Sequence, residues 1–119
     1  MTTQLISSLT LTGVDFANGS DGPAMHFARI SPNAPLVEAV FQSWGQWSDV
    51  MVELRDLAAA NTVSDLAWVS DLVQLDFAQA DVIVVTDVLS YPDESPPSVR
   101  VTRNALVTVI NQWLEATTH

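Results

Sequence analysis

The stretch Asp81-Val82-Ile83-Val84-Val85-Thr86-Asp87-Val88-Leu89-Ser90 is an almost unbroken apolar run, rich in β-branched residues. Such a run suits a central strand buried on both faces of a sheet. The flanking sequence supplies partners for it. Val73, Leu75 and Phe77 alternate with Gln74 and Asp76, the period of two of a half-buried strand, and Ala78-Gln79-Ala80 is a short connection to the run. On the far side, Tyr91-Pro92-Asp93-Glu94-Ser95-Pro96-Pro97 excludes regular structure, because proline cannot donate to a ladder. Ser98 to Val101 then reads as a short strand. Thr102 is placed to cap a final helix whose stripe is Leu106, Val109, Ile110, Trp113 and Leu114.

The first half of the chain extends the same pattern. Leu5, Leu9 and Leu11 share one parity and Ser8, Thr10 and Thr12 the other, which predicts one half-buried strand. Asn18-Gly19-Ser20-Asp21-Gly22-Pro23 is a turn, a second strand runs from about Ala24 to Ile30, and Ser31-Pro32-Asn33-Ala34-Pro35 breaks it, in the manner of an antiparallel meander. Residues 36–44 fit two patterns. Val37, Ala39 and Phe41 alternate with Glu38 and Gln42, whereas Val37, Val40, Phe41, Trp44 and Trp47 form a helical stripe. The β-branched content and the preceding proline loop favour a third strand. From Ser48 the pattern is helical: Val50, Met51, Leu54, Leu57 and Ala58 lie on one side and Asp49, Glu53 and Asp56 on the other. Ser48 is placed as N-cap, Asp49 sits in the first turn where the helix dipole favours it, and Asn61 is a C-terminal stop. The expectation is a single α+β domain over residues 1–119, with an antiparallel sheet of about five to six strands and two main helices at about 46–60 and 103–117.

Charge bears on partners rather than on fold. Fourteen Asp and Glu stand against four Arg, with no lysine, for a net charge of -10. A small soluble domain usually carries roughly 2 to 8 charges. The excess repels nucleic acid and anionic membranes and attracts basic surfaces. At 48% hydrophobic and 15% charged residues the chain is too apolar for disorder. Cysteine is absent, which excludes disulfides, thiolate metal sites and a cysteine nucleophile. Met1 to Ser8 has neither the basic residue nor the apolar run of a signal peptide, and no stretch approaches the ~18 apolar residues of a membrane span. A soluble, cytoplasmic protein is expected, and the glycosylation match Asn18-Gly19-Ser20 is read as chance.

Catalytic constellations are missing. Of the two histidines, His119 is terminal and His26 stands alone in a strand; no H-x-x-H spacing exists. The four glycines form no phosphate-binding loop, and G-x-S-x-G is absent. Arg29, Arg55, Arg100 and Arg103 are scattered and make no basic patch for nucleic acid. No catalytic residue, metal or cofactor is expected. Asp49, Glu53 and Asp56 share a helix face that suits a divalent cation, acid–base work or plain solvation, at a few tenths of a kcal/mol of repulsion per pair. The preferred reading is a negative surface presented to a partner, with Asp93 and Glu94 on the proline-rich loop as a second contact element. Asp65, Asp71, Asp76, Asp81 and Asp87 fit turns and strand ends. Of the four tryptophans, Trp113 lies on the core stripe, one of Trp44 and Trp47 suits a partly exposed anchor and Trp68 is open to either role, but for the four together core is favoured over interface, since a fully exposed tryptophan is rare.

The closing segment Val99 to Glu115 is a short strand, a capped turn and a helix ending in Trp113-Leu114-Glu115. With the small size, the acidity and the α+β layout, it resembles the small immunity proteins of bacterial contact-dependent growth inhibition and other polymorphic toxin systems. That resemblance implies a non-enzymatic protein that binds a cognate toxin domain, often a nuclease, and blocks it by occupying or flanking its active site. It carries over no particular residue. The expected partner is therefore a basic toxin domain held one-to-one, with Asp49, Glu53, Asp56, Asp93 and Glu94 as the contact set. Two other readings share the composition: a DNA-mimic inhibitor of a DNA-binding protein, and a non-catalytic oligomeric scaffold should one sheet face be apolar and exposed. The sequence leaves the oligomeric state open.

Overall fold

The computed structural model describes residues 5–17, 25–32, 34–60, 63–65, 67–88 and 97–117. In chain order the elements are β1 (Leu5–Ile6), β2 (Thr10–Ala17), β3 (Met25–Ser31), α1 (Pro35–Trp44), α2 (Ser48–Ala59), β4 (Ala67–Val69), β5 (Val73–Asp76), β6 (Val82–Asp87), β7 (Ser98–Thr102) and α3 (Arg103–Thr117). The apolar run supplies β6, the middle strand of a five-stranded sheet of order β1-β7-β6-β5-β4, while β2 and β3 form a separate antiparallel pair. The fold is α+β, with α2 and α3 where the sequence placed its two main helices. Most of the sheet is antiparallel, but β1 runs parallel to β7.

Register separates the large sheet into two faces. Ile6, Val73, Leu75, Ile83, Val85, Val99 and Val101 point to one side and join a single core with Val37, Val40 and Phe41 of α1, Met51, Leu54 and Ala58 of α2, and the stripe Leu106, Val109, Ile110, Trp113 and Leu114 of α3. The buried residues of all three helices thus belong to the core on this face. Val82 and Ile83 are buried on opposite faces, yet Val84 is only half-buried, so double-sided burial of β6 is confined to its first residues.

Several local expectations are corrected. Residues 36–44 are helix, not strand. The buried positions Val37, Val40 and Phe41 have helical spacing, and Pro35 begins the helix, where its fixed φ and missing N–H cost nothing. The single N-terminal strand is two: Leu5–Ile6 joins the large sheet and Thr10–Ala17 pairs with β3, so Leu5 is exposed although Leu9 is buried. β4 is an edge strand of three residues, too short for periodicity to reveal. Trp47, extended at φ -114° and ψ 102°, takes the N-cap position of α2 with no side-chain cap bond, and Ser48 is already helical. Thr102 does cap α3: its Oγ1 accepts from the Ala105 N–H at 3.2 Å. Asn61 and residues 91–96 lie outside the described residues.

Two buried polar contacts fix α2 in place. Arg103, 4% exposed at the start of α3, donates to the carbonyls of Leu57 (3.0 Å) and Ala58 (3.4 Å) in the last turn of α2, and to those of Gln79 (3.0 Å) and Phe77 (3.5 Å) before β6. The carbonyls at a helix C-terminus have no intrahelical donor and carry the negative end of the dipole, so a guanidinium suits them. Burial pushes the Arg103 guanidinium below its ordinary value, and Asp81 pulls it back up. At the other end of α2, Trp113 Nε1 donates to the Gly45 carbonyl at 3.2 Å and its ring lies 5.0 Å from Phe41. A Cβ on Gly45 would stand 2.7 Å from the Trp113 ring and closer still to the Phe41 carbonyl oxygen, so this turn requires glycine.

Candidate protein-binding surface

Helix α2 turns Met51, Leu54 and Ala58 into the core. Asp49, Glu53 and Asp56 fall on the opposite side of the same helix, at i, i+4 and i+7, and all three are exposed. The sequence therefore placed this row correctly. Arg55 lies beside one end of it: its Nη2 is 3.2 Å and its Nε 3.3 Å from Asp56 Oδ1, while Nη1 donates to Asn111 Oδ1 on α3 at 3.3 Å. No described cation pairs with Asp49 or Glu53. Asp93 and Glu94 lie outside the described residues, so the structure does not bring the two halves of the expected contact set together.

Trp47 stands at the head of the acidic row and is 58% exposed. The other tryptophans are engaged. Trp113 is buried, and Trp44 and Trp68 pack edge to face at 5.6 Å against the core. Trp47 continues the helical stripe of α1 on paper, yet it is exposed. The chain leaves that helix at Gly45, and the change of direction rotates Trp47 out. An exposed indole at the N-cap of a helix whose outer face is acidic offers a flat apolar surface and a cation-attracting ring.

Two further acids have local partners. Asp76 Oδ1 accepts the Ala78 N–H at 2.8 Å in a side-chain turn, and Asp15 pairs with Arg29 at 3.1 Å across the exposed β2–β3 ribbon. Among the described residues, no three of His, Asp and Glu gather closely enough to hold a metal ion. A shallow depression of about 530 Å³ lies between β2 and α3, lined by Leu11, Thr12, Gly13, Val14, Gln112 and Glu115. No helix among the described residues is long and apolar enough to cross a membrane. No family model, curated protein or solved structure matches this chain.

Proposed function

We propose that the protein is a cytoplasmic immunity protein that binds a cognate basic toxin domain, a nuclease encoded beside it, and neutralises it one-to-one without catalysis. The observations that carry this reading are the exposed row Asp49, Glu53 and Asp56 on the outer face of α2 and the exposed Trp47 at the N-cap of the same helix. A nuclease is basic where it meets phosphate. An acidic partner there gains steered association and excludes the substrate in the same act. Tryptophan supplies what charge alone does not, a desolvated anchor of the kind that dominates interface energetics. The likeness of the closing segment to immunity proteins points the same way. DNA mimicry is less well supported, since the α2 row spans only about two helical turns and a mimic needs a long, regular array of charges.

Co-expression with the neighbouring toxin domain tests the proposal. The wild-type chain is expected to protect cells. Asp49→Lys with Glu53→Lys is expected to abolish protection by slowing association, and Trp47→Ala to weaken the complex by roughly 30-fold or more through faster dissociation. Trp47→Ala should keep its stability within about 0.5 kcal/mol, because the side chain is exposed, and the double lysine variant should lose about 1 kcal/mol, since Asp49 lies in the first turn of α2, and stay folded. Absence of protection by the wild type, or full protection by all variants, refutes it.

A further inference from the structure

The second face of the large sheet is built unlike the rest of the molecule. Its residues stand outside the core to which all three helices contribute. Register sets one row straight across the five strands: Ala67, Asp76, Val84, Arg100 and Leu5, on β4, β5, β6, β7 and β1 respectively. Leu5 is 49% exposed, and Val69, two residues beyond Ala67 on the same face, is 59% exposed. In a protein of net charge -10 this row is neutral, with one carboxylate and one guanidinium. The two charges do not meet within the chain. They sit on either side of the central strand, each about 4.8 Å from Val84 in the direction of the sheet. Arg100 Nε is buried with no acceptor among the described residues, an arrangement that costs free energy.

We infer that this face is the contact between two copies of the chain. The row is self-complementary. A two-fold axis parallel to the strands and passing above Val84 lays β5 of one copy over β7 of the other. Asp76 then faces Arg100 of the second copy, Arg100 faces its Asp76, and Leu5 covers Ala67. The contact is isologous, as closed homodimers require. The strands of the two sheets stay nearly aligned at the ordinary spacing of about 10 Å, which opposed Arg and Asp side chains can bridge. A two-fold axis across the strands would instead set Arg100 on Arg100, so the charges select one arrangement. The neutrality of the face argues for a second copy rather than a basic protein, whose attraction is to the acidic helix layer. The acids of α2 point away from the core and stay free in such a dimer, so each copy keeps its own partner-binding surface.

Sedimentation velocity at high micromolar concentration and physiological salt tests this. The wild-type chain is expected to sediment as a dimer. Asp76→Arg alone and Arg100→Asp alone each place like charges opposite one another twice, and should raise the dissociation constant at least about a hundredfold. Mixing the two single variants restores both opposite-charge pairs and should restore a dimer containing one of each. Circular dichroism checks that each variant folds; where one does not, Asp76→Asn and Arg100→Gln replace the reversals, should each weaken the dimer, and on mixing should regain it in part, because the mixed dimer recovers one of the two Asp76–Arg100 pairs. A wild-type monomer overturns the inference. So does a dimer indifferent to both substitutions, and so does a pair of folded reversal variants that fail to dimerise when mixed.

Discussion

Replacing Arg103 by methionine removes the guanidinium and keeps most of the apolar stem. Of its carbonyl contacts among the described residues, those to Leu57 and Gln79 at 3.0 Å have good hydrogen-bond length, while those at 3.4 and 3.5 Å to Ala58 and Phe77 contribute little. A bond from a charged donor contributes roughly 1.5–3 kcal/mol, and each buried carbonyl left without a donor carries its own desolvation cost. Methionine recovers part of this by packing on Phe77, over whose ring the guanidinium now sits at 5.9 Å. The expected net loss is about 3–5 kcal/mol, a large share of the 5–15 kcal/mol typical of a domain. Arg103→Lys keeps the charge but not the fork. It reaches the α2 carbonyls or the Gln79 carbonyl, not both, and should lose about half as much. Urea unfolding followed by circular dichroism measures this from the shift in midpoint at constant slope. A loss below about 1 kcal/mol for Arg103→Met, or a lysine variant as stable as the wild type, refutes the claim that the guanidinium holds α2 to the β5–β6 connection.

Gly45→Ala should cost about 1–3 kcal/mol in thermal unfolding. The backbone there is ordinary at φ -63°, so the loss comes from the Cβ against Trp113 and the Phe41 carbonyl alone. Thr102→Val keeps the shape of the side chain but not the acceptor for the Ala105 N–H, and should cost about 1 kcal/mol by the same measurement, with no change in the native spectrum.

The parts of the fold that the sequence disclosed are those whose period is repeated. The stripe of α3, the cap at Thr102, the acidic face of α2 and the apolar centre at β6 each rest on several residues that agree. Where the text was silent or misleading, one local preference met a tertiary demand. Residues 36–44 satisfied both periods, and packing against β3, β5 and β6 selected the helix. Leu5 and Leu9 kept strict alternation through a break at Ser7–Leu9 that sends their strands to different sheets. No local pattern announces that β1 runs parallel to β7, because the partner lies some ninety residues away. The exposed acidic row of α2 was legible because a helix face is a local property. The exposure of Trp47 was not, since it depends on how sharply the chain turns at Gly45.

The most direct test of the proposed function is a calorimetric titration of the chain with the purified toxin domain encoded beside it, at micromolar concentration and physiological salt. The account predicts a complex with one toxin domain per chain, binding that weakens steeply with added salt, and loss of the domain's activity in the same titration. It also predicts that the chain displaces no DNA from unrelated DNA-binding proteins. Titration without a complex, or binding that leaves the toxin fully active, contradicts it.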